Sequence, residues 1–530
     1  MWIITSFIGF TLFVAVYSWY KLRGQNLNTS DGYFLGGRSL SAGVIAGSMM
    51  LTNISSEHLI GMNGSSYVNG MVIISWETTA TIGLIFGALY LVPRYLKMGL
   101  TTIPKFLELR FDRTTRSIAA GLLVFSFVFT LLPIVLYTGA INFEGMFNLS
   151  EYLGVSRQQG IWILVLMIGI IGALYSILGG LKAVAVADTV NGVGLIIAGL
   201  LIPIIALWEI GNGNLLTGVD RVYEFAPEKF SIVGAPDSVL PFSAIFTGLV
   251  INQIYFWAMH QSIIQRALGA KDLEAAQKGL LLTGVFKLLV PFIIAVPGVI
   301  GFYYFGDAFY DNQDFIYPMM VNEVLPVFLI GIFAAVFMGA VLSTFNSVIN
   351  SAATIYTIDI YKIFINKDAS EKQTVRVGVI VSSVVAVFAI LVAPYMAYAP
   401  EGIYQLLQTL NGLFFVPLGT IILAGFFFKS VSAAGVKVAL VAGMAFYLMS
   451  ELFVDMGIHF VHVWGIMFVG MIAIMYFVSY FYPIEQEFKI TDVEVVDLKE
   501  WKYAKIVSVF LILVTIGIYI LLWGEPYSGQ

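Results

Sequence analysis

Long apolar stretches are the feature that most constrains how this chain can fold. About fourteen stretches of some twenty residues follow one another, near 2–20, 42–60, 70–93, 117–140, 160–178, 188–208, 239–262, 279–304, 324–350, 376–394, 403–428, 433–452, 458–481 and 505–523. A helix of about 20 apolar residues crosses the hydrocarbon core of a bilayer. Of the 530 residues, 59% are hydrophobic and 11% charged, whereas soluble domains are nearer half apolar and a quarter charged. The sequence therefore predicts an all-α polytopic membrane protein with about 14 transmembrane helices.

The distribution of Lys and Arg predicts the orientation of these helices. Twenty-three of the 27 cations fall in alternate connections, at 21–38, 94–116, Lys182, 266–278, 362–376, 429–437 and 489–505. The opposite side holds Arg157, Arg221 and Lys229, and Lys287 lies within a span. Because connections rich in Lys and Arg stay in the cytoplasm, we expect a multi-pass protein of the plasma membrane with both termini extracytoplasmic.

Two of the predicted spans are interrupted by polar residues. The second contains LTNISSEH and the seventh contains INQIYFWAMHQ. They lie five helices apart, so they enter the membrane from opposite sides, which is typical of inverted-repeat transporters. We therefore divide the chain into a first helix with a cytoplasmic linker (1–41), a first inverted repeat (42–208), an extracellular loop (209–238), a second inverted repeat (239–428) and three additional helices (429–530).

Polar residues within the spans favour a binding protein over an enzyme. The chain has no Cys and only four His, and no hydrolase, metalloprotease or P-loop motif is present. On the ninth helix, Ala340, Ser343, Thr344, Ser347 and Ser351 recur at helical spacing and share one face. Such a face either packs closely against another helix or offers neutral oxygens to a hard cation.

Two charged or titratable pairs have alternative explanations at this stage. Glu77 and Lys287 form either a structural ion pair or part of a ligand site, and the residues alone do not favour one. His459 and His462 are spaced as helical neighbours near the outer edge of a span. That spacing fits a hydrogen-bonded interface pair better than a metal site.

At these same residues the sequence resembles the sodium:solute symporter family, and most closely its bacterial sodium/sugar (glucose/galactose-type) cotransporter branch. The resemblance includes DGYFLGGRSL, LTNISSEHLIGMNGSSY, ALYSILGGLKAVAVADTVNG, YFWAMHQSIIQRALGAKDLEAAQKG and AVLSTFNSVINSAATIYTIDIYK. It implies a LeuT-like core of two inverted five-helix repeats that works by alternating access. It also implies a location in the bacterial inner membrane.

The resemblance also implies binding residues, carried over position by position. The sodium site would be formed by the backbone carbonyls of Leu51, Ile54 and Ala340 and the hydroxyls of Ser343 and Thr344. The substrate would meet Asn53, His58, Trp76, Glu77, Ala80, Gln253, Tyr255, Phe256, Trp257, Lys287 and Gln408. A second Na⁺ site, found in some family members, would fall on Asp188, Ser343, Asn346 and Ser347; the alternative is that Asp188 only accepts hydrogen bonds.

Four positions depart from the pattern of the sugar branch. His58 stands where the branch usually has Gln, Ala80 replaces Ser, Gln253 replaces Asn and Phe256 replaces Tyr. A mixed set of donors, acceptors and aromatic faces still suits a sugar. Because of these four departures, the sequence does not identify glucose or galactose as that sugar.

Together these observations predict Na⁺-coupled symport of a small neutral hydrophilic solute, a monosaccharide in the first place, into the cell. The expected partners are that solute, Na⁺ and the lipid bilayer, with no nucleic acid and no obligatory protein partner. The alternatives are symport of a carboxylate or amino acid, a solute sensor that does not translocate, and a channel. The chain is not expected to be an enzyme.

Overall fold

The computed structural model describes residues 2–22, 28–398, 403–454, 456–484 and 488–529. These residues form helices and turns, and no strand is found among them. Parts of the connections between predicted spans, at 23–27, 399–402, 455 and 485–487, lie outside the described residues. The first half contains α1 (Trp2–Leu22), α2 (Ser30–Phe34), α3 (Ala42–Asn53), α4 (Asn63–Asn69), α5 (Ser75–Thr78), α6 (Ala80–Phe86), α7 (Val92–Lys97), α8 (Ile103–Arg110), α9 (Arg113–Ser126), α10 (Leu132–Phe147), α11 (Leu149–Leu153) and α12 (Arg157–Ile210).

The second half continues the same helical pattern. It contains α13 (Leu215–Phe225), α14 (Gly248–Ala258), α15 (Gln261–Leu268), α16 (Leu273–Lys287), α17 (Val290–Phe305), α18 (Ile316–Val324), α19 (Val327–Ile355), α20 (Glu371–Val392), α21 (Ile403–Phe427), α22 (Ala433–Leu452), α23 (Phe460–Phe481) and α24 (Ala504–Leu521). Wider π-type turns occupy His58–Met62, Gly87–Leu91, Phe127–Leu131 and Tyr356–Ile365. Several helices therefore continue through a local change of pitch.

Within the described ranges, eleven helices are long and apolar enough to cross a membrane. The three remaining predicted spans are the two interrupted ones and α1, whose apolar helix, Thr5–Ser18, is shorter. The exact number of fourteen thus stays a prediction. The predicted spans 160–178 and 188–208 are both contained in α12, where two helices meet at a kink at Gly180 (φ 58°, ψ −171°). Positive φ suits glycine, and a Cβ here would lie 2.8 Å from the carbonyl oxygen of Tyr33.

The two interrupted helices lie at the centre of the helical packing. The first part of one, α3, contacts α12, α15, α16 and α19. The first part of the other, α14, contacts α6, α21 and α23. Contact with protein on several sides removes their polar residues from lipid, which is the condition under which irregular backbone is tolerated at membrane depth.

The backbone shows how each of the two helices is interrupted. After α3 the chain leaves helical geometry at Ile54 (ψ 84°), and the amide of Ser55 turns back to the carbonyl of Asn53 at 2.9 Å. Between α14 and α15, His260 is extended (φ −70°, ψ 121°), and its ring Nδ1 lies 2.8 Å from the hydroxyl of Ser262. Both interruptions fall within the polar segments that predicted them.

Candidate functional site

Polar groups at the end of α3 lie buried at the centre of the protein. The last carbonyls of a helix lack intrahelical partners, and α3 ends at Asn53 in a buried environment. The carbonyl of Thr52 accepts a 2.8 Å hydrogen bond from the Thr344 hydroxyl on α19. Immediately beyond the break, Ser56 bonds to the Val135 carbonyl at 3.0 Å. The break is therefore fixed against two neighbouring helices while its side chains face inwards.

A buried cluster of charged and polar side chains surrounds Lys287 at the end of α16. Its ammonium group donates a 2.6 Å hydrogen bond to the Asn53 side-chain oxygen and forms an ion pair with Glu77. His58 lies between two carboxylates, with Nε2 3.7 Å from Glu77 and Nδ1 3.6 Å from Glu57. The cluster combines charge-assisted donors and acceptors, which bind polar groups more strongly than neutral ones do.

Aromatic rings cover this cluster on two sides. The Lys287 ammonium lies 5.2 Å from the ring centre of Trp257. Tyr404 meets Trp76 edge-on at 6.3 Å and the His58 ring at 6.0 Å. Aromatic faces of this kind cover the apolar surface of a ring-shaped ligand while leaving its polar edge to other residues.

Side-chain amides from α14 and α21 complete the polar lining. Gln253 donates to the Trp76 carbonyl at 2.6 Å and accepts from the Trp257 indole at 3.1 Å. On α21, Asn411 donates to Gln408 at 2.9 Å, and the Gln408 amide lies 3.4 Å from the Tyr404 hydroxyl. These amides are held by protein groups and so have defined orientations.

Together these groups line a cavity of about 60 Å³. One water takes about 30 Å³ of liquid volume, and small-molecule pockets usually measure about 300–1,000 Å³. Side chains must therefore separate before a solute of the size that such pockets usually hold can enter. The lining residues are Thr52, Asn53, Glu57, His58, Trp76, Glu77, Leu131, Asn252, Gln253, Phe256, Trp257, Ser262, Ile263, Lys287, Thr344, Tyr404, Leu407, Gln408, Asn411 and Phe415.

The structure brings most of the expected substrate residues to this cavity but leaves two outside it. Ala80 is buried at the start of α6, away from the lining. Tyr255 packs against Phe415, with ring centres 4.9 Å apart, because it lies on another face of α14 from Gln253. The lining residues Tyr404 and Asn411 were not predicted. They stand four residues before and three after Gln408, so helical spacing alone could have identified both.

The residues expected to bind Na⁺ lie where α3 meets α19. Ser343 and Thr344 are buried, and the Ser343 hydroxyl lies 3.3 Å from the Thr52 hydroxyl. The expected carbonyls of Leu51 and Ile54 flank the end of α3 next to them, and Ala340 is one turn before Thr344 on α19. Neutral oxygens are what a hard cation accepts, so the donor set fits Na⁺.

The four residues considered for a second Na⁺ are only partly assembled. Asp188 accepts a 2.6 Å hydrogen bond from Ser48, and Ser347 lies 3.1 Å from the Thr52 hydroxyl. The guanidinium of Arg266 lies among them. The buried amide of Asn346 has no hydrogen-bond partner within the described part of the chain.

His459 and His462 form hydrogen bonds to protein groups. His459 contacts the Val239 carbonyl at 3.0 Å, and His462 contacts Ser243 at 3.1 Å and Thr247 at 3.0 Å. Within the described ranges, no group of three or more His, Cys, Asp or Glu side chains is placed to hold a metal ion. His459 and His462 therefore make the contacts of a hydrogen-bonded pair at an interface between protein segments.

Comparison with known proteins gives one family match and several relatives. Residues 33–444 match the model of the sodium:solute symporter family. The chain is 43% identical over 516 residues to an uncharacterised symporter, YidK, of Escherichia coli, covering 97% of this chain and 90% of the relative. It is 32% identical over 447 residues to the sodium/glucose cotransporter of Vibrio parahaemolyticus, covering 80% of each. It is 30% identical to the human sodium/myo-inositol cotransporter, covering 80% of this chain and 63% of the relative.

Solved structures agree with the fold. A Na⁺-coupled sialic acid symporter in a substrate-bound outward-open state superposes with a TM-score of 0.79 at 19% identity, covering 92% of this chain and 99% of that one. A nucleobase-cation-symport-1 family transporter, MHP1, in a closed conformation superposes with a TM-score of 0.53 at 15% identity, covering 86% and 96%. Likeness at such identity shows the fold alone, and it confirms the predicted LeuT-like architecture.

Proposed function

Because the chain belongs to the sodium:solute symporter family, whose members are secondary transporters and not enzymes, we propose that it couples Na⁺ entry to the uptake of a neutral monosaccharide or closely related polyol. The supporting observation is the composition of the central cavity. It combines a charge-assisted cluster at Lys287, amides from Gln253 and Gln408, and aromatic covers. A polyhydroxylated ring needs donors and acceptors along its edge and apolar contact on its face.

The charge balance of the cavity argues against an anionic solute. Two carboxylates, Glu57 and Glu77, face it, against the single ammonium of Lys287. That ammonium is already paired with Glu77. A carboxylate solute would add negative charge to a site where the described lining residues include no Lys or Arg besides the paired Lys287, and like charges at close range are costly. Symport of a carboxylate or amino acid is therefore the second candidate, and it is kept as an outcome of the test.

Coupling is proposed to arise because Na⁺ and solute meet the same break in α3. In this proposal Na⁺ binds the carbonyls of Leu51 and Ile54 together with α19, and the solute binds Asn53 and His58 on either side of the same break. Ion binding would hold the break in the geometry that presents Asn53, so each ligand would raise the affinity of the other. Each charge carried inwards also gains about 2.3 kcal/mol per 100 mV of membrane potential.

The test is uptake by purified full-length protein in proteoliposomes. Radiolabelled D-glucose, D-galactose, myo-inositol, L-proline and sialic acid are compared with an inward Na⁺ gradient and with an equal K⁺ gradient. We expect concentrative, Na⁺-dependent uptake of a monosaccharide or the polyol. Uptake of only proline or sialic acid would favour the second candidate. Equal, non-concentrative uptake in both gradients would indicate a channel, and binding without uptake would indicate a sensor.

A further inference from the structure

Arg266 is a fully buried cation that the proposed function does not use. It lies in the last turn of α15, and none of its surface is exposed. Its Nε donates to the Ser48 hydroxyl at 3.0 Å, and its Nη2 donates to the Thr52 hydroxyl at 3.0 Å. Nη2 also hydrogen-bonds to the Ser347 hydroxyl, and Nη1 to the Ser262 carbonyl.

Among the described residues, the carboxylate paired with this guanidinium is that of Asp188 on α12. The two groups are 4.0 Å apart, and Ser48 bridges them with its 2.6 Å hydrogen bond to the carboxylate. The cation is therefore surrounded by the Ser262 carbonyl of its own helix and, from other helices, by one carboxylate and three hydroxyl oxygens. These oxygens come from α3, α12 and α19, three elements far apart in sequence.

This oxygen set is the kind that binds a small hard cation. One carboxylate offsets the charge and hydroxyls replace water, which is how oxygen ligands hold such ions. Asp188 and Ser347 are also two of the four residues considered for a second Na⁺. A Na⁺ that shared these oxygens with the guanidinium would lie in direct contact with it and would be strongly repelled in this buried environment. The arrangement with Arg266 in place does not fit Na⁺ at these oxygens.

We propose that the Arg266 guanidinium is a tethered cation that takes the place of a second Na⁺ between Asp188, Thr52 and Ser347. This inference rests on the proposed Na⁺-coupled function. It assigns one Na⁺ to each chain, bound where α3 meets Ser343 and Thr344. It also explains why a carboxylate is retained in the membrane interior here: its charge is balanced within the protein, so this pair moves no charge across the membrane potential.

The inference predicts that removing Arg266 creates a cation site. In Arg266→Ala the Asp188 carboxylate loses its counter-charge, and the space left by the side chain becomes available to a Na⁺ with water. In Arg266→Lys a tethered positive charge remains. In the double variant Arg266→Ala/Asp188→Asn the carboxylate is replaced as well, so no negative charge remains for a bound Na⁺ to balance. The single Ala variant alone should therefore gain an ion.

The experiment is a count of bound ²²Na⁺ on purified full-length protein by equilibrium dialysis at saturating Na⁺. We expect one Na⁺ per chain for the wild type, two for Arg266→Ala, one for Arg266→Lys and one for the double variant. Two ions on the wild type, or one on Arg266→Ala, would overturn the inference. No bound Na⁺ on the wild type would instead overturn the proposed function, so the two failures are distinguishable.

A stability measurement covers the case in which Arg266→Ala is too unstable to dialyse. Its unfolding temperature is compared in NaCl and in choline chloride of equal concentration, beside that of the wild type. We expect Na⁺ to raise the unfolding temperature of Arg266→Ala by more than it raises that of the wild type, because two sites are then linked to folding. An equal or smaller rise, or loss of folding in both salts, would overturn the inference.

Discussion

The contact between Glu77 and Lys287 permits a test that separates a solute-binding role from a purely structural one. The two side chains pair in a buried environment, and Lys287 also donates to Asn53 at 2.6 Å. Removing one member of a buried ion pair leaves an uncompensated charge and costs about 3–5 kcal/mol, whereas replacing both with uncharged residues of similar volume is often neutral. Glu77→Gln and Lys287→Met should each destabilise the protein, and the double variant should regain most of that stability.

Solute binding should not recover in the double variant. A hydrogen bond from a charged group contributes about 1.5–3 kcal/mol, and each 1.4 kcal/mol is a factor of ten in affinity. Losing one such bond should therefore weaken binding about 12- to 150-fold. Losing both should abolish measurable uptake. Stability is measured as the unfolding temperature in detergent, and function as Na⁺-driven uptake, in proteoliposomes, of the solute that the wild type takes up.

A matched control lies on the same helix. Lys278 pairs with Glu274 at 2.6 Å, but both side chains are about 40% exposed. Exposed pairs spaced four residues apart contribute about 0.3–0.5 kcal/mol, so Lys278→Met/Glu274→Gln should leave both readouts near wild type. If the Glu77→Gln/Lys287→Met protein is stable and also transports like the wild type, the pair is structural and its ligand role is refuted.

Three further predictions test the proposed Na⁺ site, the cavity and the ion pairs of Glu108. Thr344→Ala should raise the Na⁺ concentration for half-maximal uptake several-fold without lowering membrane insertion; an unchanged Na⁺ dependence would exclude the hydroxyl as a ligand. His58→Gln should keep Na⁺-driven uptake, because the amide retains a hydrogen-bond donor and an acceptor, whereas His58→Ala should weaken it; equal uptake by the two variants would make His58 a bystander. The pKa of Glu108 is lowered from 4.5 to about 2: burial opposes this shift, but hydrogen bonds from Lys105 and Arg116 outweigh it. The stabilising contribution of ionised Glu108 should be complete above about pH 4.5 and lost as the pH falls towards 2. The unfolding temperature of Glu108→Gln should therefore depend less on pH between about 4.5 and 2 than that of the wild type.

Several features of this protein could be predicted from sequence because they follow from the bilayer. Hydrocarbon does not solvate polar backbone or side chains, so span length and composition identified the membrane helices. The polar segments LTNISSEH and INQIYFWAMHQ predicted where the two helices are interrupted. The family resemblance then located Asn53, Glu77, Gln253, Lys287 and Gln408, and all five line one cavity.

Other features depend on which distant residues meet, and only the tertiary structure decided them. The Lys287–Glu77 pair joins residues 210 positions apart, and the bond between Arg266 and Ser347 joins residues 81 apart. From its place in the sequence Arg266 counted among the cytoplasmic cations, yet its side chain is fully buried. Tyr255 matched an aromatic position of the site but packs against Phe415. Hydropathy and spacing assign a residue to an element and a face, whereas the direction in which that face points is set by the packing of helices remote in sequence.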